Sequence, residues 1–96
     1  MQFMDEVFKK REEIVAREIA GETILVPIRG RLADMQNIFS LNPVAEYIWR
    51  HLNGVKSVEE ISMKILENYD MEKEEVDKDL HEFINDLLKE DLIVMV

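Results

Sequence analysis

Two histidines, one tryptophan, twenty-one carboxylates and no cysteine are what this chain of 96 residues offers for chemistry. His51 and His81 have no His-x-x-x-His, His-x-Glu or cysteine pair beside them. A metal centre needs three or four converging ligands, so both histidines read as structural. His51 falls at the C-terminal end of a predicted helix, where a cation suits the helix dipole. His81 follows Asp77 by one helical turn. Glu74, Glu75, Asp77, Asp79, Glu82, Asp86 and Glu90 fall mostly on the polar side of one predicted helix. General acid–base catalysis needs a carboxylate in a cleft with a perturbed pKa, which a solvated helix face does not supply. There is no nucleophile elbow and no glycine-rich phosphate loop. Trp49 lies on an inner helical stripe and reads as a core anchor. The chain therefore reads as a protein that is not an enzyme, with no catalytic residue, no metal site and no cofactor.

Composition narrows the class. Hydrophobic residues make up 47% of the chain, with three glycines and two prolines, as in a compact fold. Ninety-six residues suffice for one domain with one modest core. Without cysteine, disulfides and thiolate-bound clusters are excluded. No apolar run approaches the roughly 18 residues of a membrane span, and MQFMDEVFKKREE lacks the apolar centre of a secretory signal. A cytoplasmic location is expected. The net charge is −9, and all of the excess lies in residues 57–96. Residues 1–56 hold eight basic and eight acidic side chains, whereas 57–96 hold four and thirteen. A phosphate backbone is repelled by that second half, which fits a solvated face or a basic partner.

The elements that position these residues follow from periodicity. Residues 1–12 carry Phe3, Met4, Val7 and Phe8 at helical spacing before Lys9, Lys10 and Arg11 break it, which predicts a short helix or a frayed end. Ile14–Ile19 and Thr23–Arg29 predict a β-hairpin around Ala20-Gly21-Glu22, with Pro27 at an edge or a strand break. Gly30–Met35 reads as a polar loop, and Gln36–Leu41 as a third short strand. Asn42 and Pro43 then open a helix over about 43–52, with Val44, Ala45, Ile48, Trp49 and Leu52 on one face. Gly54 suits its left-handed C-terminal cap. Ser57 and Glu60 form a capping box for a second helix over about 58–69, whose stripe is Val58, Ile61, Ile65, Leu66 and Tyr69. A third helix over about 73–90 carries Val76, Leu80, Phe83, Ile84, Leu87 and Leu88, an arc wider than one core contact needs. The last five residues, LIVMV, read as a short strand or a docked tail. The fold class expected is α+β and winged-helix-like: a three-stranded antiparallel β segment, then a three-helix bundle, in one domain over 13–96.

The same residues resemble the PqqD-like family, whose namesake is the small chaperone of pyrroloquinoline quinone biosynthesis. The resemblance runs from about Ile14 to Ile93. It rests on Leu41-Asn42 with Ile48-Trp49, Leu52-Asn53-Gly54 and Ser57-Val58-Glu59-Glu60-Ile61. It continues through Tyr69-Asp70, Glu74-Glu75-Val76, Asp79, Phe83, Leu87-Leu88 and Leu92-Ile93. The ordered set with these gaps is more specific than any one piece. It implies a non-catalytic domain that binds the leader of a ribosomally made precursor peptide and presents it to a modifying enzyme, often a radical S-adenosylmethionine enzyme. In related domains the peptide adds as a strand beside the third strand, under the third helix.

That implication is physically sound, because an open sheet edge accepts an extended peptide by β-augmentation. The candidate edge is Gln36, Asn37, Ile38, Phe39 and Ser40. The facing wall is taken as Asp77, Leu80, His81, Ile84 and Leu88. Two rival readings stand beside this one. A winged-helix DNA-binding regulator would place the third helix in the major groove, but residues 73–90 hold seven acids against three lysines. A structural adaptor subunit or homodimer would use the apolar N-terminus and the LIVMV tail.

Overall fold

In a computed structural model, residues 4–28 and 39–96 are described, and the account below concerns these residues. The elements in chain order are β1 (Val7–Lys10), β2 (Ile14–Ile19), β3 (Glu22–Pro27), β4 (Phe39–Leu41), α1 (Pro43–His51), β5 (Asn53–Ser57), α2 (Val58–Asn68), α3 (Lys73–Lys89) and β6 (Ile93–Met95). The fold is α+β, as expected, with the three-stranded antiparallel sheet β2-β3-β4 and three helices. A second three-stranded sheet, β5-β1-β6, makes the winged-helix description approximate.

The hairpin forms where the Ala20-Gly21 pair allows it. Ala20 has φ 52° and Gly21 φ 82°, and positive φ at both central residues marks a two-residue type I′ turn. The register therefore begins at Ile19 opposite Glu22 and ends at Ile14 opposite Pro27, so Glu22 belongs to the strand. Pro27 ends β3, in keeping with its missing N–H. β4 pairs antiparallel to β3, Leu41 opposite Thr23 and Phe39 opposite Leu25. Gln36–Ile38, the first half of the predicted third strand, and the Gly30–Met35 loop lie outside the described residues.

Val7–Lys10 corrects the expectation of a helix or frayed end over residues 1–12, of which 1–3, with Phe3, lie outside the described residues. Val7–Lys10 is the central strand of the second sheet, and Phe8 is fully buried. The apolar spacing that resembled a helix instead serves pairing on both sides: Val7 lies opposite Ser57, and Phe8 opposite Met95. The carbonyls of Met4 and Glu6 accept from the Glu59 and Val58 amides, so this segment also meets the start of α2. Lys10 Nζ donates to the Trp49 carbonyl at 3.1 Å, at the end of α1. Burial pushes the Lys10 ammonium pKa below its usual value.

Gly54 also departs from expectation. Its φ is 80°, but it lies inside β5, at the irregularity in the β1–β5 register, and not at a helix cap. α1 ends at Leu52, whose amide donates to the Trp49 carbonyl. The LIVMV tail supplies β6. A Schellman turn precedes it, with Asp91 at φ 61°, its amide on the Leu88 carbonyl and the Leu92 amide on the Leu87 carbonyl.

The predicted caps and stripes are present. Asn42 Oδ1 accepts from the Ala45 amide at 2.8 Å. The Ser57–Glu60 capping box is complete. The core between the sheets and helices holds Phe8, Ile14, Leu25, Ile48, Trp49, Leu52, Val58, Ile61, Ile65, Val76, Leu80, Ile84, Leu87, Leu92 and Ile93, with Leu41 at its margin. Thr23 donates to Glu46 at 2.8 Å and ties the hairpin to α1.

Candidate functional site

β4 pairs with β3 along one side, and among the described residues no strand pairs with its other side. Such an edge presents backbone donors and acceptors that an extended chain can satisfy. Beside it lies a groove of about 500 Å³. Its apolar floor is Phe39 from β4, Val44, Ala45 and Ile48 from α1, Met71 from the α2–α3 connection, and Phe83 from α3. Its polar rim is Ser40, Asn42, Asp79, Glu82 and Asp86.

Local chemistry fixes these positions. The Asn42 cap and Pro43 set the start of α1 directly after β4, so Val44, Ala45 and Ile48 follow Phe39 into the same space. Ser40 Oγ donates to Glu22 across the sheet at 2.9 Å. On α3, Val76, Leu80, Ile84 and Leu87 enter the core. The face at Asp79, Glu82, Phe83 and Asp86, spaced i, i+3, i+4 and i+7, is thereby turned to the groove.

The sequence-predicted site residues divide. Phe39 and Ser40 line the groove. Gln36, Asn37 and Ile38 lie outside the described residues. Of the predicted helical wall, none lines the groove. Leu80 and Ile84 are fully buried in the core. Leu88 is half-buried and packs against that core. His81 is half-buried. Asp77 accepts from Ser62 Oγ at 2.6 Å and from Lys73 Nζ at 3.0 Å, which commits it to the α2 side. The Asp77 hydrogen bond, with the charge of Asp77 and Glu59 behind it, raises the Lys73 pKa. The predicted wall and the α3 residues that line this groove are opposite flanks of the same buried stripe. The α3 residues that line the groove without having been predicted to are Asp79, Glu82, Phe83 and Asp86. Phe83 is the one aromatic of that helix, and three acids surround it within a turn, which is the signal available in the sequence.

Among the described residues no group of three or more His, Asp or Glu could hold a metal ion. Among them, too, no helix is long and apolar enough to cross a membrane. The acids on α3 are exposed at the groove, which opposes a phosphate backbone there.

Comparison with known proteins agrees with the sequence resemblance. The family model described as Coenzyme PQQ synthesis protein D (PqqD) matches residues 22–93. No curated protein matches. Among solved structures, the chain is similar to one described as TbiB1 in complex with the TbiA(beta) leader peptide. That match has 27% identity and a TM-score of 0.69, and covers 88% of this chain and 93% of the other. It is also similar to a lasso peptide synthetase B1 complexed with the leader peptide, at 17% identity and a TM-score of 0.71, covering 91% and 96%. At that identity the second likeness speaks for the fold alone.

Proposed function

The chain belongs to the PqqD family, and from that premise we propose that it is a non-catalytic chaperone that binds the leader of a ribosomally made precursor peptide and presents it to a modifying enzyme. The observation that carries this reading is the open edge of β4 beside a groove walled by α3. A peptide in extended conformation adds to β4 as a fourth strand. Its backbone groups satisfy the free side of Phe39–Leu41, and alternate side chains descend onto Val44, Ala45, Ile48, Met71 and Phe83. Backbone bonding supplies affinity with little sequence demand, and the floor supplies selectivity. A structure similar to this chain at 27% identity is described as a complex with a leader peptide, which supports the same use here.

The enzyme served is a peptide-modifying one, and the family resemblance points to the radical S-adenosylmethionine class as the first to test. The chaperone acts in the cytoplasm, where a ribosomal precursor is made.

The test is an NMR titration of the isotope-labelled chain with leader peptides from short precursor genes beside its own. Saturable shifts at Phe39–Leu41 and at Asp79, Glu82 and Phe83, with slowed amide exchange on β4, are the expected result. Saturation confined to another surface, or no saturation with any leader, would refute strand addition. Co-purification with a neighbouring modifying enzyme, dependent on the leader, tests the presentation step.

A further inference from the structure

The groove is apolar at its floor and anionic along one wall. Phe83 on α3 has Asp79 and Glu82 before it and Asp86 after it, all on the groove side and all exposed. Among the described residues, those that line the groove include no lysine or arginine. Among the described residues none of these three carboxylates has a basic partner, whereas Asp77 on the opposite flank is engaged by Lys73. The wall is thus charged toward the place where a ligand lies.

The strand edge fixes how a ligand's side chains meet this wall. Same-face residues of an extended peptide recur every second position, about 6.8 Å apart, so the positions two before and two after an anchor are about 14 Å apart. Asp79 and Asp86 are separated by about 10 Å along the helix axis, at about 1.5 Å per residue. The two spacings are close, so in a strand lying along α3 an apolar side chain resting on Phe83 and Phe39 has its two same-face neighbours alongside Asp79 and Asp86. The long stems of lysine or arginine span the remaining distance and cover the apolar floor as they do so.

Building on the strand-addition reading, we propose that this groove selects extended peptides in which an apolar anchor is flanked two positions away on each side by lysine or arginine. Opposite charge favours that register, and like charge at the same positions is disfavoured. A leader with glutamate flanks is rejected by the same three residues that accept a basic one.

The experiment uses three synthetic nine-residue peptides of serine and threonine with a central leucine, carrying lysine, glutamine or glutamate at both flanking positions. Each is titrated calorimetrically into the full chain, with NMR shifts as the map. The lysine peptide is expected to bind roughly tenfold more tightly than the glutamate peptide at low salt, the size expected of two exposed pairs replaced by two repulsions. The gap narrows as salt screens it. The triple variant Asp79→Asn, Glu82→Gln, Asp86→Asn changes exposed side chains only, so it keeps the fold and should bind all three peptides alike. Equal affinities in the parent chain, with shifts on Phe39–Leu41, would overturn the charge preference and leave strand addition standing. Failure of the lysine peptide where a neighbouring leader still binds would overturn the preference in the same way. Failure of every peptide, leaders included, would overturn both.

Discussion

Ser62 Oγ donates to Asp77 Oδ1 at 2.6 Å, and this bond joins α2 to α3 on the flank away from the groove. Ser62 is the one buried polar side chain of the described core. Removing it in Ser62→Ala should lower stability by about 1 kcal/mol, the usual net value of one hydrogen bond. Asp77 keeps Lys73, so the loss stays modest. Peptide affinity should not change. Denaturant unfolding with a parallel peptide titration checks both halves, and a variant that weakens binding as much as stability would place Asp77 in the peptide site after all.

Adjacent residues Phe83 and Ile84 should behave oppositely. Ile84 is fully buried, so Ile84→Asp places an unpaired charge in the core and should abolish the helical circular dichroism signal. The milder Ile84→Ala should cost about 2–5 kcal/mol. Phe83 is half-buried at the groove floor. Phe83→Ala should leave a folded chain whose leader affinity falls at least about tenfold, as expected for loss of an aromatic hot spot. Equal unfolding of both variants would contradict the groove assignment.

Phe8→Ala probes the N-terminal strand. Phe8 is fully buried in the middle strand of the second sheet. The substitution should cost about 3–5 kcal/mol, comparable to a central core aromatic. A change near zero in a thermal melt would restore the frayed-terminus reading.

The two ends of local order give opposite signs. Ser57→Ala removes the acceptor for the Glu60 amide and should cost about 0.5–2 kcal/mol. At the hairpin, Ala20 holds a left-handed conformation that costs an L-residue roughly 1–2 kcal/mol, and asparagine tolerates it better. Ala20→Asn should therefore raise the midpoint of unfolding. A lowered midpoint would mean that the turn relaxes elsewhere in its ensemble.

What could be read from the sequence was set by the range of the interactions. The hairpin, the caps at Asn42 and Ser57 and the helical stripes depend on neighbours a few residues away, and they stand where the pattern places them. β1 and β5 do not. VFKK and NGVKS become strands because Ser57 and Met95 reach Val7 and Phe8 from far along the chain. Val55 is largely exposed, so β5 shows no apolar alternation to read. The site shows the same division. The strand at Phe39–Leu41 is legible as the end of a β-favouring run after a loop. The α3 face that lines the groove is not, because both flanks of a buried stripe carry acids, and only the position of β4 and α1 decides which flank faces the groove.

Because β1 pairs with both β5 and β6, the first strand of the described chain waits on the last. Closing contacts of that sequence separation carries a loop entropy that short-range folds avoid, and it slows folding. The wall of the groove shares this delay, since α3 runs through the Asp91 turn directly into β6. During synthesis, then, the hairpin and first two helices emerge before the strand that locks α3 can pair. The groove is therefore closed only once Ile93–Met95 have been made, and a ribosome-bound fragment ending before Ile93 presents an apolar, unclosed surface that favours association with other chains.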